Sequence, residues 1–292
     1  MLNLFFIVGT GRCGSSFIHE ILSKHEEVGF ISNVEDNLPW LNLAGHYNNF
    51  FFRTSLGKLT RKGRIRFAPS EGYRLISRQV SPLYANSSRD LVADDVTPWL
   101  DSQFYNFFLQ RYHKQRKKIF LHKYTGWSRI GFFLKIFPET KFIHLIRDGR
   151  AVANSWLQMP WWGGYRGPEN WLWGNLLEPY LSEWHESKQS YITLAAIGWK
   201  ILINSYEQAS RDLTKEQYLC LRYEDFLVNP YETIKNLLAF IGLPLTTTFE
   251  KHFHKQKINP SRIRSFERDL TAEQLEKLEH SLNKKLIKYG YL

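Results

Sequence analysis

The chain has 292 residues, 43% of them hydrophobic and 16% aromatic, enough apolar side chain for one large α/β domain or two smaller ones. Lysine and arginine number 39 against 28 acidic residues, and the resulting charge of +11 favours polyanionic ligands. Two cysteines exclude a disulfide framework, and neither a run of about 18 apolar residues nor a cleavable leader is visible, so a reduced, cytoplasmic setting without a membrane span is expected.

The first element is a buried strand, Phe5-Phe6-Ile7-Val8, followed by Gly9-Thr10-Gly11-Arg12-Cys13-Gly14-Ser15-Ser16-Phe17. Strand, glycine-rich turn and helix in that order point backbone N–H groups at an anion. The spacing Gly9-x4-Gly14 matches a nucleotide-type phosphate loop, but Ser15 stands where a Walker A loop needs lysine. The basic residue comes earlier, at Arg12. A helix is expected from about Ser16 to Lys24, with Phe17, Ile18, Ile21 and Leu22 on one face.

Residues 29 to 118 carry the weakest pattern, with Asn33 to Asn49 reading as loop and Asp101 to Lys117 as helix. The clusters Arg61-Lys62-Gly63-Arg64-Ile65-Arg66 and Arg111 to Lys118 read as solvated faces. No RNA-recognition or zinc-finger pattern accompanies them, so nucleic acid is not an expected partner. Ile119 to Lys123 is a short strand, and Gly126 to Phe137 reads as a crossover helix to the strand Lys141-Phe142-Ile143-His144-Leu145-Ile146-Arg147. Strand–helix–strand order implies a parallel sheet with right-handed crossovers. Asp148-Gly149-Arg150 turns the chain into a further helix carrying Ser155, eight residues beyond Arg147. A phosphomonoester suits a forked guanidinium and a hydroxyl donor.

Trp156 to Trp184 is rich in tryptophan, with Gly163, Gly164 and Gly167 among the rings. Such faces can stack on an acceptor or pack as the core of a lid. A long helix is expected over Ala195 to Arg211, then a strand at Tyr218. Asn229-Pro230 supplies a cap and a first-turn proline for a helix that stops at Gly242. Thr271 and Gln274 form a capping-box pattern for a last helix ending near Gly290.

Arg12-Cys13-Gly14-Ser15-Ser16 resembles the Lys/Arg-Ser-Gly-Thr-Thr loop of sulfotransferases that use 3′-phosphoadenosine 5′-phosphosulfate (PAPS), in bacterial and tyrosylprotein-type style. Arg147-Asp148-Gly149-Arg150-Ala151 is similar to the matching segment of the tyrosylprotein branch. The resemblance implies an α/β fold over 1–292 as one domain: a P-loop-type parallel sheet flanked by helices, with helical insertions around the acceptor site. It implies that Gly11, Arg12, Cys13, Gly14, Ser15, Ser16 and Phe17 hold the 5′-phosphosulfate, while Arg147 and Ser155 hold the 3′-phosphate. Lys123 would reach the transferring sulfonate beside Arg12. Leu219-Cys220-Leu221-Arg222-Tyr223-Glu224-Asp225-Phe226 resembles the family's Tyr-Glu-Asp-Leu strand-to-loop segment, in which Tyr223 corresponds to an adenosine-side contact of one branch. The tail Ile258 to Asp269 resembles a basic segment that folds over the cofactor, with Arg262 and Arg264 as its candidates.

Cys13 reads as a small residue in a tight turn, because direct transfer from PAPS needs no covalent enzyme intermediate. The implied reaction is metal-independent, in-line transfer of a sulfonate to a hydroxyl on a glycan, lipid, phenol or peptide, leaving adenosine 3′,5′-bisphosphate. The acceptor hydroxyl needs a general base. The tyrosylprotein branch uses a glutamate after the first helix, which points to Glu35 or Asp36, with His46 and His122 next. His252-Phe253-His254 is too short a pattern to assign a metal. The competing readings are a P-loop small-molecule kinase and a non-catalytic nucleotide-binding relative. Relatives often dimerise, but no dimer motif is readable.

Overall fold

A computed structural model describes residues 2–54, 66–260 and 263–292. Arg262 and five of the six residues in the Arg61–Arg66 cluster therefore lie outside the described residues. Five strands form one parallel sheet in the order β2-β3-β1-β4-β5. They are β1 (Leu4–Val8), β2 (Val28–Gly29), β3 (Ile119–Lys123), β4 (Lys141–Ile146) and β5 (Tyr218–Arg222).

β1 is apolar at every position because both faces of a parallel sheet are covered. Its pleat sorts the side chains. Phe6 joins Phe120 and Phe142 against the aromatic side chains of Phe104, Phe108 and Phe133. Phe5 and Ile7 point the other way, onto Ile18, Ile21, Leu237 and Leu238. The chain runs from β1 to β2 and β3 on one side, then crosses to β4 on the other. The C-terminal ends of β1, β3 and β4 thus surround a topological switch point, where open α/β sheets place ligands.

Helices α1 (Ser15–Leu22), α2 (Asn33–Asn37) and α3 (Asn48–Arg53) precede α4 (Tyr73–Gln79), α5 (Leu83–Asn86) and α6 (Pro98–Gln115). The stretch Asn33–Asn49, expected as loop, contains α2, two short 3₁₀ turns and the start of α3. Its local cause is a cap that the loop reading overlooked: the Ser32 hydroxyl accepts from the Glu35 amide at 3.1 Å. Thr97 caps α6 in the same way through Leu100 N–H, so this helix starts three residues before Asp101.

The crossover from β3 to β4 is α7 (Ile130–Ile136), shorter than expected because residues 124–129 form a turn. Next come α8 (Gly149–Leu157), α9 (Tyr180–Glu186) and α10 (Tyr191–Ala209). Most of the tryptophans pack here. Trp156, Trp162, Trp184 and Trp199 are buried with aliphatic residues of α8 and α10.

After β5 follow α11 (Tyr223–Val228), α12 (Pro230–Phe240), α13 (Thr247–Phe253), α14 (Phe266–Asp269) and α15 (Ala272–Lys288). The capping box of α15 forms as expected: Thr271 Oγ1 accepts from Gln274 N–H, and Gln274 Oε1 accepts from Thr271 N–H. Asn229 precedes α12, but its side chain makes no cap. Instead the Thr233 hydroxyl donates to the Asn229 carbonyl at 2.8 Å. No helix among the described residues is long and apolar enough to cross a membrane.

His19, His122 and His144 are among the histidines buried in this frame. His144 stacks on Tyr206 with ring centroids 4.2 Å apart and shares a 2.6 Å hydrogen bond with the Tyr218 hydroxyl. Burial lowers the pKa of His19 and of His144 to about 3, and pushes that of His122 well down. Unfolded, each titrates near 6.5. Between those values the unfolded chain binds more protons, so stability is complete above pH 6.5 and declines as the pH falls. The slope is up to about 1.4 kcal/mol per pH unit for each histidine. Urea unfolding from pH 7.5 down to pH 5 should show this loss, and His144→Phe should flatten it. An unchanged slope in the variant would remove His144 from the account.

Candidate active site

The site begins where β1 runs out. Gly9 crosses the end of β4 so closely that a Cβ there would lie 2.5 Å from the Leu145 carbonyl oxygen. Gly11, Arg12 and Gly14 then take φ of 81°, 56° and 87°. Left-handed residues set among right-handed ones fold backbone amides into a concave, anion-holding nest. Helix α1 starts immediately after, at Ser15, and the Phe17 and Ile18 amides return to the Gly14 carbonyl. The loop therefore leads into a helix N-terminus, whose first amides have no intrahelical partner.

Arg12 and the segment 147–155 are joined directly. Arg12 Nε donates to Ser155 Oγ at 2.8 Å, and Arg147 Nη1 donates to the Arg12 carbonyl at 2.9 Å. Arg147 also lies over the Tyr223 ring, 5.6 Å from its centroid. That ring covers Gly14 so tightly that any Cβ on Gly14 would fall inside it. Asp148 and Arg150 serve the frame instead. Asp148 caps α8 by accepting from the Arg150 amide, and the Arg150 guanidinium braces Asp148 and Glu279.

Lys123 ends β3 and is 5% exposed. Its Nζ donates to Ser16 Oγ at 2.7 Å and pairs with Glu71 Oε1 at 2.7 Å. Glu71 also accepts from Thr125 Oγ1 at 3.0 Å. Tyr73 holds the same turn, its hydroxyl donating to the Thr125 carbonyl and accepting from the Thr125 amide.

These groups line a cleft of about 810 Å³. Gly11, Arg12, Gly14, Ser15, Ser16 and Phe17 are in its wall. So are Lys123, Arg147 and Tyr223 from later segments. Trp161, Trp171 and Trp173 line it as well, so the tryptophan segment both packs a core and faces the cleft. Cys13 lies behind the loop, fully buried, and burial pushes its thiol pKa up. That suits a space-filling residue rather than a nucleophile.

The structure does not bring Glu35 or Asp36 to the cleft wall. Glu35 is 1% exposed and paired with Arg111 at 2.8 Å, with burial raising its pKa against the pull of that guanidinium. Asp36 accepts from the Leu75 amide and the Ser70 hydroxyl. Both carboxylates brace the segment around α2 and α4. His46 is exposed beside Tyr47, and His122 is buried against the Tyr84 hydroxyl at 3.0 Å. Arg264 pairs with Glu267 on the outer face of the tail and is not part of the cleft wall.

The carboxylate that does face the cleft is Glu71, which sequence reasoning missed. Ser70-Glu71-Gly72 belongs to no motif, and its place depends on a turn that only the folded chain shows. Gly72 (φ 64°) opens α4 there, and the isolated bridge Ser32–Pro69 ties the approach to the segment that follows β2.

A parallel sheet whose switch point holds an amide nest, two arginines and a lysine defines a protein that handles phosphate- or sulfate-like groups. Residues 5–247 match the profile described as the sulfotransferase family, and the chain belongs to that family. It is similar to omega-hydroxy-beta-dihydromenaquinone-9 sulfotransferase Stf3 of Mycobacterium bovis, with 24% identity over 194 residues, 64% of this chain and 45% of that protein. The Mycobacterium tuberculosis counterpart gives the same figures. The chain thus spans less than half the length of these curated relatives. Sulfotransferase STF9 from Mycobacterium avium superposes with a TM-score of 0.59 at 15% identity, covering 98% of this chain and 76% of that one. The sulfotransferase domain from the curacin biosynthetic pathway gives 0.54 at 13% identity, covering 97% and 98%. These two likenesses show the shared fold.

Two substitutions separate frame from site. Gly14→Ala forces an alanine into positive φ and into the Tyr223 ring, so the adenosine 3′,5′-bisphosphate binding proposed below should be lost in calorimetry. Wild-type affinity in this variant would refute the close packing. Glu35→Gln removes one partner of a buried ion pair and should cost about 3–5 kcal/mol of stability. Denaturant titration reads that cost. A loss of turnover at unchanged stability would restore Glu35 as a base.

Proposed function

We propose that this chain transfers a sulfonate from PAPS to an acceptor hydroxyl. The observation that carries this reading is the direct junction of the Arg12 loop with Arg147 and Ser155, with Arg12, Arg147 and Lys123 lining one cleft. The chemistry of the donor set fits PAPS, which has anionic groups at both ends: an amide nest with Lys123 at one, a forked guanidinium and a hydroxyl at the other. Tyr223 offers an aromatic face beside Arg147 for the base between them. When bound, PAPS supplies an activated sulfonate, whose sulfur bonds to the acceptor oxygen as its bond to the leaving phosphate breaks.

Each cleft residue then has a task. Lys123 and Arg12 neutralise charge that builds on the transferring group and on the departing phosphate. Ser16 holds the Lys123 ammonium toward the loop. Glu71 takes the proton from the acceptor hydroxyl, which makes it the general base in place of Glu35 and Asp36. Its pairing with Lys123 keeps the carboxylate next to the reacting groups. The tryptophan wall excludes water and seats the acceptor.

Calorimetry with adenosine 3′,5′-bisphosphate in the absence of metal, run against ATP with magnesium, tests the reading. The bisphosphate should bind selectively, and Arg147→Ala should weaken it roughly 10- to 100-fold. Preference for ATP with magnesium would favour a kinase instead. Glu71→Gln should keep bisphosphate affinity while lowering kcat on the order of 10²- to 10⁴-fold. Full turnover in that variant would remove Glu71 as the base.

A further inference from the structure

Beyond the groups assigned to the donor and the proton, the cleft has a wall with unsatisfied donors. Arg129 lines the cleft yet is only 4% exposed. Among the described residues no carboxylate lies within 4.0 Å of its guanidinium, and Nε has no hydrogen-bond partner. Its one protein acceptor is the Thr125 carbonyl, at a long 3.4 Å from Nη1. The rings of Tyr84 and Tyr124 lie 5.2 and 5.5 Å away. A charge buried with so few partners is costly unless something else completes its shell.

Two more buried, unsatisfied polar atoms belong to residues of the same wall: Trp127 Nε1 and Ser87 Oγ. The two segments are clamped together. Asp90 accepts from the Ser128 hydroxyl at 2.5 Å and from the Arg129 amide at 2.7 Å. This clamp holds Arg129 at φ 46°, a left-handed conformation rare for a bulky residue and characteristic of functional sites. Burial raises the Asp90 pKa against the pull of these hydrogen bonds and of the Arg129 guanidinium.

We propose that Arg129, with Ser87 and the Trp127 indole, forms a subsite for an acidic oxygen group on the acceptor. The reading rests on the sulfonate transfer proposed above and narrows its acceptor class. The acceptor bears a hydroxyl, an apolar body that lies on the tryptophan wall, and a carboxylate or sulfonate that meets Arg129. A forked guanidinium and two neutral donors match such a group, and a neutral alcohol leaves them unfilled.

The test uses three probes on the protein saturated with adenosine 3′,5′-bisphosphate: 2-naphthol, 6-hydroxy-2-naphthoic acid and 6-hydroxynaphthalene-2-sulfonic acid. Quenching of tryptophan fluorescence reads affinity. At least one acidic probe should bind roughly 10-fold or more tightly than 2-naphthol, and the two acidic arms tell carboxylate from sulfonate. Arg129→Met should abolish the preference, and Arg129→Lys should retain part of it. Equal affinity of all three probes for the wild-type protein, or no binding of any, overturns the subsite whether or not the variants fold. Bisphosphate binding is measured first, so its absence counts against the sulfonate-transfer reading and not against Arg129 alone. A preference that survives in Arg129→Met also overturns the assignment.

Discussion

The site depends on close approach of backbone to its neighbours at two glycines. Gly9 lets the loop pass over the Leu145 carbonyl, and Gly14 lets Tyr223 lie flat against the start of α1. Neither contact survives a side chain. With both in place, β1, β4 and the β5–α11 junction are locked at one point. Arg12 is thereby carried within hydrogen-bond distance of Ser155, and Arg147 within reach of the Arg12 carbonyl. Residues more than 130 positions apart become one cationic surface because the backbone there is bare.

That surface concentrates positive charge, and concentrated charge needs local order to remain in place. The order comes from partners of opposite character. Glu71 and Ser16 hold Lys123, Ser155 holds Arg12, and the Tyr223 ring faces Arg147. Binding a polyanion then exchanges some of these contacts for stronger charge-assisted ones rather than ordering mobile side chains. Preorganisation of this kind lowers the reorganisation needed when charge moves in the reaction.

The sheet and the donor loop were legible in the sequence because both are local. The apolar run of β1, the glycine spacing, the strand ending at Arg147 and the Thr271 capping box each lie within a few neighbouring residues. Ser15 and Tyr223 line the cleft, whereas Cys13, expected in the same loop, is buried behind it. The carboxylate was not legible. Glu35 follows the first helix a few residues later than the family's glutamate would, and Arg111, far along the chain on α6, draws it into a buried pair. The turn around Glu71 is set by the Ser32–Pro69 bridge, by Gly72 and by Tyr73, none of which leaves a periodic trace. Arg129 was hidden likewise, since its conformation is imposed by Asp90 from another segment.

The division follows from what each half of the cleft must recognise. A donor with fixed phosphates can be met by backbone amides and a few cations, and such features are written in short motifs. The acceptor half is assembled from side chains on the turns before α4, after α5 and before α7, brought together only by tertiary packing. Glu71 and Arg129 both lie on those turns, one beside Lys123 and the other above the ring of Tyr84. With the roles proposed for them, their separation in the cleft would set how far an acceptor's hydroxyl stands from its acidic group. Under the proposed sulfonate transfer, substitutions in these turns would change the acceptor while Gly9, Gly14 and Arg147 keep the donor site intact.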